Sequence, residues 1–152
     1  MTTVVCNREA MCADTFITGG TTSTAVRASK IFRFDGALYG FCGDARQAYR
    51  VREWIEGGSR GPLPWFDDLK LDEDLDILIL RRTGIYIMDG HGVVIPIHDD
   101  IAGVGSGSHY ALGALAAGAS LERAVEIAAE RDDMTKLPLE LHQLRKRASS
   151  HG

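Results

Sequence analysis

A chain of 152 residues, 45% apolar and 25% charged, is one globular domain's worth of sequence, long enough to bury a core without disulfide or metal staples. Its 17 basic residues against 21 acids leave a net charge of -4, which gives no electrostatic footprint for nucleic acid. No apolar run approaches the ~18 residues that a bilayer needs, and the first residues carry no secretory signal, so no membrane and a cytoplasmic location are expected.

In chain order, residues 2–7 alternate and a second apolar run covers Ala10 to Ile17 after the polar Asn7-Arg8-Glu9, which predicts a hairpin. Thr18-Gly19-Gly20-Thr21-Thr22-Ser23-Thr24 is too polar and glycine-rich for core and reads as a loop. Lys30–Phe34 and Ala37–Cys42 flank Asp35-Gly36, the signature of a β-hairpin with a type I′ turn. From Asp44 to Ile55 the period becomes helical, with Ala45, Ala48, Tyr49, Arg52 and Ile55 near one face. Residues 61–74 show no period and read as an irregular connection.

Leu75–Leu80, Ile85–Met88 and Val93–Ile97 predict a strand meander, and Ile101–Ser108 a last strand entering a glycine-rich turn. Tyr110–Ala117 reads as a helix closed by Gly118. Ser120 caps another helix, whose Leu121, Ala124, Val125 and Ala128 fall at i, i+3, i+4 and i+7. Strands, one helix, more strands and two helices make an α+β arrangement with helices packed on antiparallel sheets. One domain over 1–148 and a disordered tail over 149–152 are expected.

Several familiar patterns fail. Around Ser106, G-x-S-x-G would need glycines where Val104 and Ser108 stand. Gly103, Gly105 and Gly107 are spaced too tightly for a dinucleotide fingerprint. The 5 histidines have no ligand spacing, and Cys6, Cys12 and Cys42 lack C-x-x-C and stand in apolar stretches, so no metal or cofactor is expected. The cysteines read as small buried hydrophobes.

Thr2 directly follows Met1, and methionine before a small residue is ordinarily trimmed. A free α-amine has a pKa of about 8, so near neutral pH it accepts the proton of its own residue's hydroxyl, and one residue supplies nucleophile and base. Such a site needs a cation beside the amine, an acid to hold that cation and N–H donors for an oxyanion. Asp14 at the end of the second β segment, Lys30 at the start of the third, and Gly43 where strand becomes helix can supply them.

These residues resemble the proteasome β-type and HslV-like family of N-terminal nucleophile hydrolases, peptidase family T1. The likeness runs from Thr2 to about Thr135. It rests on Thr2-Thr3-Val4-Val5, Ala13-Asp14, Ser29-Lys30-Ile31-Phe32-Arg33 and Gly40-Phe41-Cys42-Gly43. Two further segments complete it, Ile101 to Gly107 and Arg131-Asp132-Asp133-Met134-Thr135, in the family's order.

The resemblance implies an αββα four-layer sandwich, with two antiparallel sheets between helical layers, assembled as a homo-oligomeric ring. It implies hydrolysis of peptide bonds in unfolded polypeptides or peptides through an acyl-enzyme. Thr2 would be the nucleophile, Lys30 would tune the amine, Asp14 would orient Lys30, and Gly43 would serve the oxyanion. Ser106, Asp132 and Thr135 would complete the polar network, and Thr18, Gly19 and Cys42 would border the substrate. The chain departs from the family between the G-F-x-G turn and the next strand, where one helix stands in place of two, so one helical layer is reduced. That pair shapes the ring's outer surface and the docking of an ATP-dependent unfoldase. Two other readings of the same fold are a catalytically silent proteasome-like assembly protein and an amidase acting on a small amide.

Overall fold

Along β1 (Val4–Cys6), Val4 and Cys6 point one way and Val5 the other, and all three are fully buried. A strand buried on both faces must lie inside a sandwich. The computed structural model describes residues 2–17, 26–61, 75–88 and 92–145. β1 occupies the interior of a four-stranded antiparallel sheet, between β10 (Ala102–Val104) and β2 (Ala10–Asp14), with β11 (Leu139–Gln143) beyond β2.

The second sheet has five antiparallel strands in chain order: β5 (Ile31–Phe34), β6 (Ala37–Gly43), β7 (Leu75–Arg81), β8 (Gly84–Met88) and β9 (Val94–Ile97). A separate two-stranded ribbon joins β3 (Phe16–Ile17) to β4 (Val26–Arg27).

The period-2 alternation sorts the apolar residues into three cores. Val4, Cys6, Met11 and Ala13 meet Ile31, Leu38, Cys42, Leu78 and Leu80 between the sheets. The opposite face of the five-stranded sheet, with Phe32, Tyr39, Phe41, Ile77 and Ile79, receives Ala48, Val51 and Ile55 of α1 (Ala45–Glu56). On the outer face of the four-stranded sheet, Val5, Ala10 and Cys12 pack on Ala111 of α2 (Ser108–Ala116). They also pack on Leu121, Ala124, Val125 and Ala128 of α3 (Leu121–Arg131). Helix, sheet, sheet and helix pair form the four layers, so the α+β sandwich is as the sequence implies, with α1 the one described helix on its side.

Local chemistry accounts for the elements that were legible. Asp35 (φ 49°) and Gly36 (φ 76°) both adopt the positive φ that a type I′ turn requires. Ser120 Oγ accepts from Arg123 N at 3.1 Å, and Asp44 Oδ1 from Gln47 N at 3.0 Å, capping α3 and α1. All four apolar positions read from α3 are buried. The three cysteines are free and buried, and burial pushes the Cys6 and Cys12 thiols up to about 12.

Three expectations are corrected. The buried face of α1 is Gln47, Ala48, Val51 and Ile55; Tyr49 is 54% exposed, because Val51 fits the sheet's aromatic surface while the amphipathic Tyr49 and Arg52 lie at its edge. The run from Ala10 to Ile17 breaks at Thr15 into β2 and β3. The last strand is β11, not the one ending near Ser108; its Glu140, His142 and Gln143 give it the polarity of an edge strand, and that hid it. Met1, Thr18 and Gly19 with their loop, residues 62–74, the turn at 89–91 and the tail from 146 lie outside the described residues.

Candidate active site

Antiparallel pairing of β1 with β2 sets Val4 opposite Ala13, so the residues before β1 lie beside the end of β2. Asp14 N donates to Thr3 O at 3.2 Å, which carries the pairing one step further. Lys30 immediately precedes β5 in the other sheet and reaches the same point. There its Nζ lies 2.7 Å from Asp14 Oδ1 and donates to the Thr2 hydroxyl, which in turn donates to Asp14. Thr2, Asp14 and Lys30 are 4%, 0% and 7% exposed.

Two backbone donors fix the carboxylate, Thr3 N to Oδ1 at 3.2 Å and Lys136 N to Oδ2 at 3.0 Å. Burial lowers the Lys30 pKa, against the opposing pull of Asp14. A lysine held this way both supports a charge at Thr2 and exchanges a proton more readily than a solvated one.

A second cluster lies on the other side of β1. Asp132 Oδ2 accepts from Ser106 Oγ at 2.7 Å and from Thr135 Oγ1 at 2.6 Å, and Oδ1 from Met134 N at 3.4 Å. Burial pushes the Asp132 carboxyl upward, but these hydrogen bonds outweigh it and hold the group below its ordinary range. Thr3 Oγ1 lies 2.7 Å from Thr135 Oγ1 and ties the cluster to the head of β1.

Backbone approaches in this region need glycine. Gly105 has φ 101°, and a Cβ there would collide with the Thr2 carbonyl and stand 3.1 Å from Cys42 Sγ. At Gly107 a Cβ would collide with Thr3 Oγ1.

Thr2, Lys30 and Gly43 share a cleft of about 590 Å³, including its open mouth, walled by Phe16, Ile31, Phe32, Phe41, Tyr49 and Arg52. Cys42 sits on the opposite face of β6, within the core between the sheets and not in the cleft wall. Its thiol is pushed up by burial, against a hydrogen bond from the Thr2 backbone.

The structure therefore brings together Thr2, Asp14, Lys30 and Gly43, and separately Ser106, Asp132 and Thr135. Sequence reasoning missed Thr3, which joins the two groups. It also missed Glu140, whose carboxylate accepts from Ser29 Oγ at 2.8 Å and Lys30 N at 3.1 Å. Alternation would have marked Thr3 as opposite in facing to Thr2; nothing local marked Glu140. Among the described residues no group of three or more His, Cys, Asp or Glu is placed to hold a metal, and no helix is long and apolar enough to cross a membrane.

No family model matches the chain. It is 32% identical over 148 residues to the ATP-dependent protease subunit HslV of Thermosipho africanus, covering 85% of this chain and 82% of that one. The HslV subunit of Bacillus cytotoxicus is 30% identical over 131 residues, 78% and 71% of the two chains. Among solved structures, HslV of Trypanosoma brucei superposes with a TM-score of 0.72 at 23% identity, over 95% of this chain and 99% of that one. BPH of Thiobacillus denitrificans, in complex with epoxomicin, gives 0.71 at 23% over the same shares. The two structures carry the fold and the two sequences carry the kinship: the chain belongs to the HslV family of N-terminal nucleophile hydrolases, peptidase family T1.

Proposed function

We propose that the chain is a threonine peptidase in which removal of Met1 frees the Thr2 amine. The observation that carries this reading is the buried Lys30, held between the Thr2 hydroxyl and Asp14 at the head of β1, where the cleft opens. The neutral α-amine takes the Oγ proton as Oγ attacks a peptide carbonyl, and the Gly43 N–H receives the oxyanion. Collapse of the tetrahedral species passes that proton to the leaving amine and leaves an ester on Thr2. Water then attacks the ester, giving its proton to the amine, which passes it to Thr2 Oγ as the acid is released. Lys30 disfavours protonation of the amine, Asp14 orients Lys30, and Ser106, Asp132 and Thr135 steady the amine's surroundings.

Thr18 and Gly19 align the substrate backbone as an added strand, and Cys42 backs the site from the core side. The working form is a single domain over 1–148, assembled in a cytoplasmic homo-oligomeric ring that receives unfolded polypeptide from an ATP-dependent unfoldase. Its T. africanus relative is named as a subunit of an ATP-dependent protease.

Intact-protein mass, with and without a peptide epoxyketone, tests the reading. The expected result is loss of Met1 and a single adduct, absent in Thr2→Ala. A chain that keeps Met1 and takes no adduct overturns it.

A further inference from the structure

Resting on the reading of Thr2 as nucleophile, we infer that Arg52 sets the charge selectivity of the cleft, so that the residue whose carbonyl is attacked is large and uncharged or acidic, never lysine or arginine. The described wall is aromatic and aliphatic apart from a few polar groups, of which only Lys30 and Arg52 carry charge, and it contains no carboxylate. Lys30 is neutralised within the site by Asp14 at 2.7 Å.

Arg52 is different. Its guanidinium carbon lies over the Phe32 ring, 4.9 Å from the centroid, and that ring is stacked in turn on Phe41 at 5.1 Å. Its Nε pairs with Glu56 Oε1 at 2.6 Å, one helical turn on, and Glu56 is not among the described residues of the cleft wall. That pair is 42% and 43% exposed, so water weakens it, while the guanidinium carbon also lies over the Phe32 ring. The two contacts fix an otherwise mobile side chain, which makes its charge a lasting property of the wall.

A lysine or arginine side chain entering past Phe32 meets a fixed cation and, among the described residues of the wall, no carboxylate. An aromatic side chain gains the stacked rings, and an acidic one gains the guanidinium. Discrimination of this kind works by repelling the wrong ligand as much as by attracting the right one.

The test uses three peptide epoxyketones, identical except for Phe, Glu or Arg at the residue bearing the warhead. The rate of adduct formation at Thr2 is followed by intact mass in the full-length protein. The wild type is expected to react with the Phe probe at least tenfold faster than with the Arg probe, a ratio in keeping with one charge a few ångströms away in partly screened surroundings. Arg52→Glu is expected to raise the Arg-to-Glu probe ratio by tenfold or more, and Arg52→Gln to give an intermediate ratio. Glu56→Gln, which strips the counter-charge of Arg52, is expected to lower that ratio further.

The measure is a ratio within each variant, so a general loss of reactivity or stability does not imitate it. Labelling at Thr2 with an Arg-to-Glu ratio unmoved by Arg52→Glu, or with the Arg probe as fast as the Phe probe in the wild type, overturns the assignment of Arg52 and leaves the nucleophile standing. No labelling by any probe overturns the nucleophile, and this inference with it.

Discussion

On one side of the β1 head, Asp14 and Lys30 form an ion pair all but sealed from water, 0% and 7% exposed, with a third polar group, the Thr2 hydroxyl, between them. On the other side Asp132, where α3 ends, is a partly exposed carboxylate served by two hydroxyls and an N–H. The sealed pair is all or nothing, because removing either member strands a charge in a dry site. The open cluster degrades in steps, since water reaches the Asp132 carboxylate and replaces a hydrogen bond lost there. Under the proposed reading, the fold puts an unforgiving arrangement where a proton is to be controlled, and a more forgiving one where the backbone is to be held.

Asp14→Ala should have the largest effect. It leaves the Lys30 ammonium buried and unpaired, and should cost about 3–5 kcal/mol in urea unfolding. Adding Lys30→Met should recover part of that loss, and a single-variant cost under about 1 kcal/mol would break the contrast. Next comes Gly105→Ala, which places a Cβ against the Thr2 carbonyl at φ 101°. About 2–3 kcal/mol of stability should be lost, together with the epoxyketone adduct, since the displaced group is Thr2 itself.

In the open cluster, Asp132→Asn should cost about 1–2 kcal/mol, and Thr135→Ala about 1, with Thr135→Ser near zero. A Thr135→Ala loss equal to that of Asp14→Ala would erase the distinction between the two sides.

The smallest signal is in pH. Both Lys30 and Asp132 have lowered pKa values in the folded chain, so within each window the unfolded chain binds more protons and stability rises with pH. For Lys30 the rise runs from its lowered folded value up to the ordinary 10.5, and Lys30→Met should flatten it. For Asp132 the contribution is complete above 3.8 and fades as pH falls through the lowered folded value, and Asp132→Asn should remove it.

The sealed side was also the more legible in sequence. Asp14 and Lys30 are marked by the acid and cation that an amino-terminal nucleophile needs, and the packing of one sheet on the other, which no spacing records, is what brings the end of β2 to the start of β5. The Asp35-Gly36 turn and the Ser120 cap are local signals with local causes, and both elements formed as read. The misses have tertiary causes. Val51 displaced Tyr49 from the face of α1 because the sheet beneath offers an apolar surface that no helical period records. β11 was hidden because an edge strand paired only with β2 tolerates Glu140, His142 and Gln143. Thr3 and Glu140 act across separations of 132 and 110 residues, to Thr135 and Lys30, and no spacing rule reaches so far.

Those separations also set when the site comes into being. A chain is made from its amino end, so Thr2 is made well before the residues that surround it. Yet β1 has no partner on its β10 side until residue 104 has been made, the second oxygen of Asp14 waits for Lys136 N, and the Lys30 backbone waits for Glu140. Closing loops of that length is slow compared with local hairpin formation. The head of β1 is therefore among the last parts of the fold to acquire its surroundings, long after its own residues have been made.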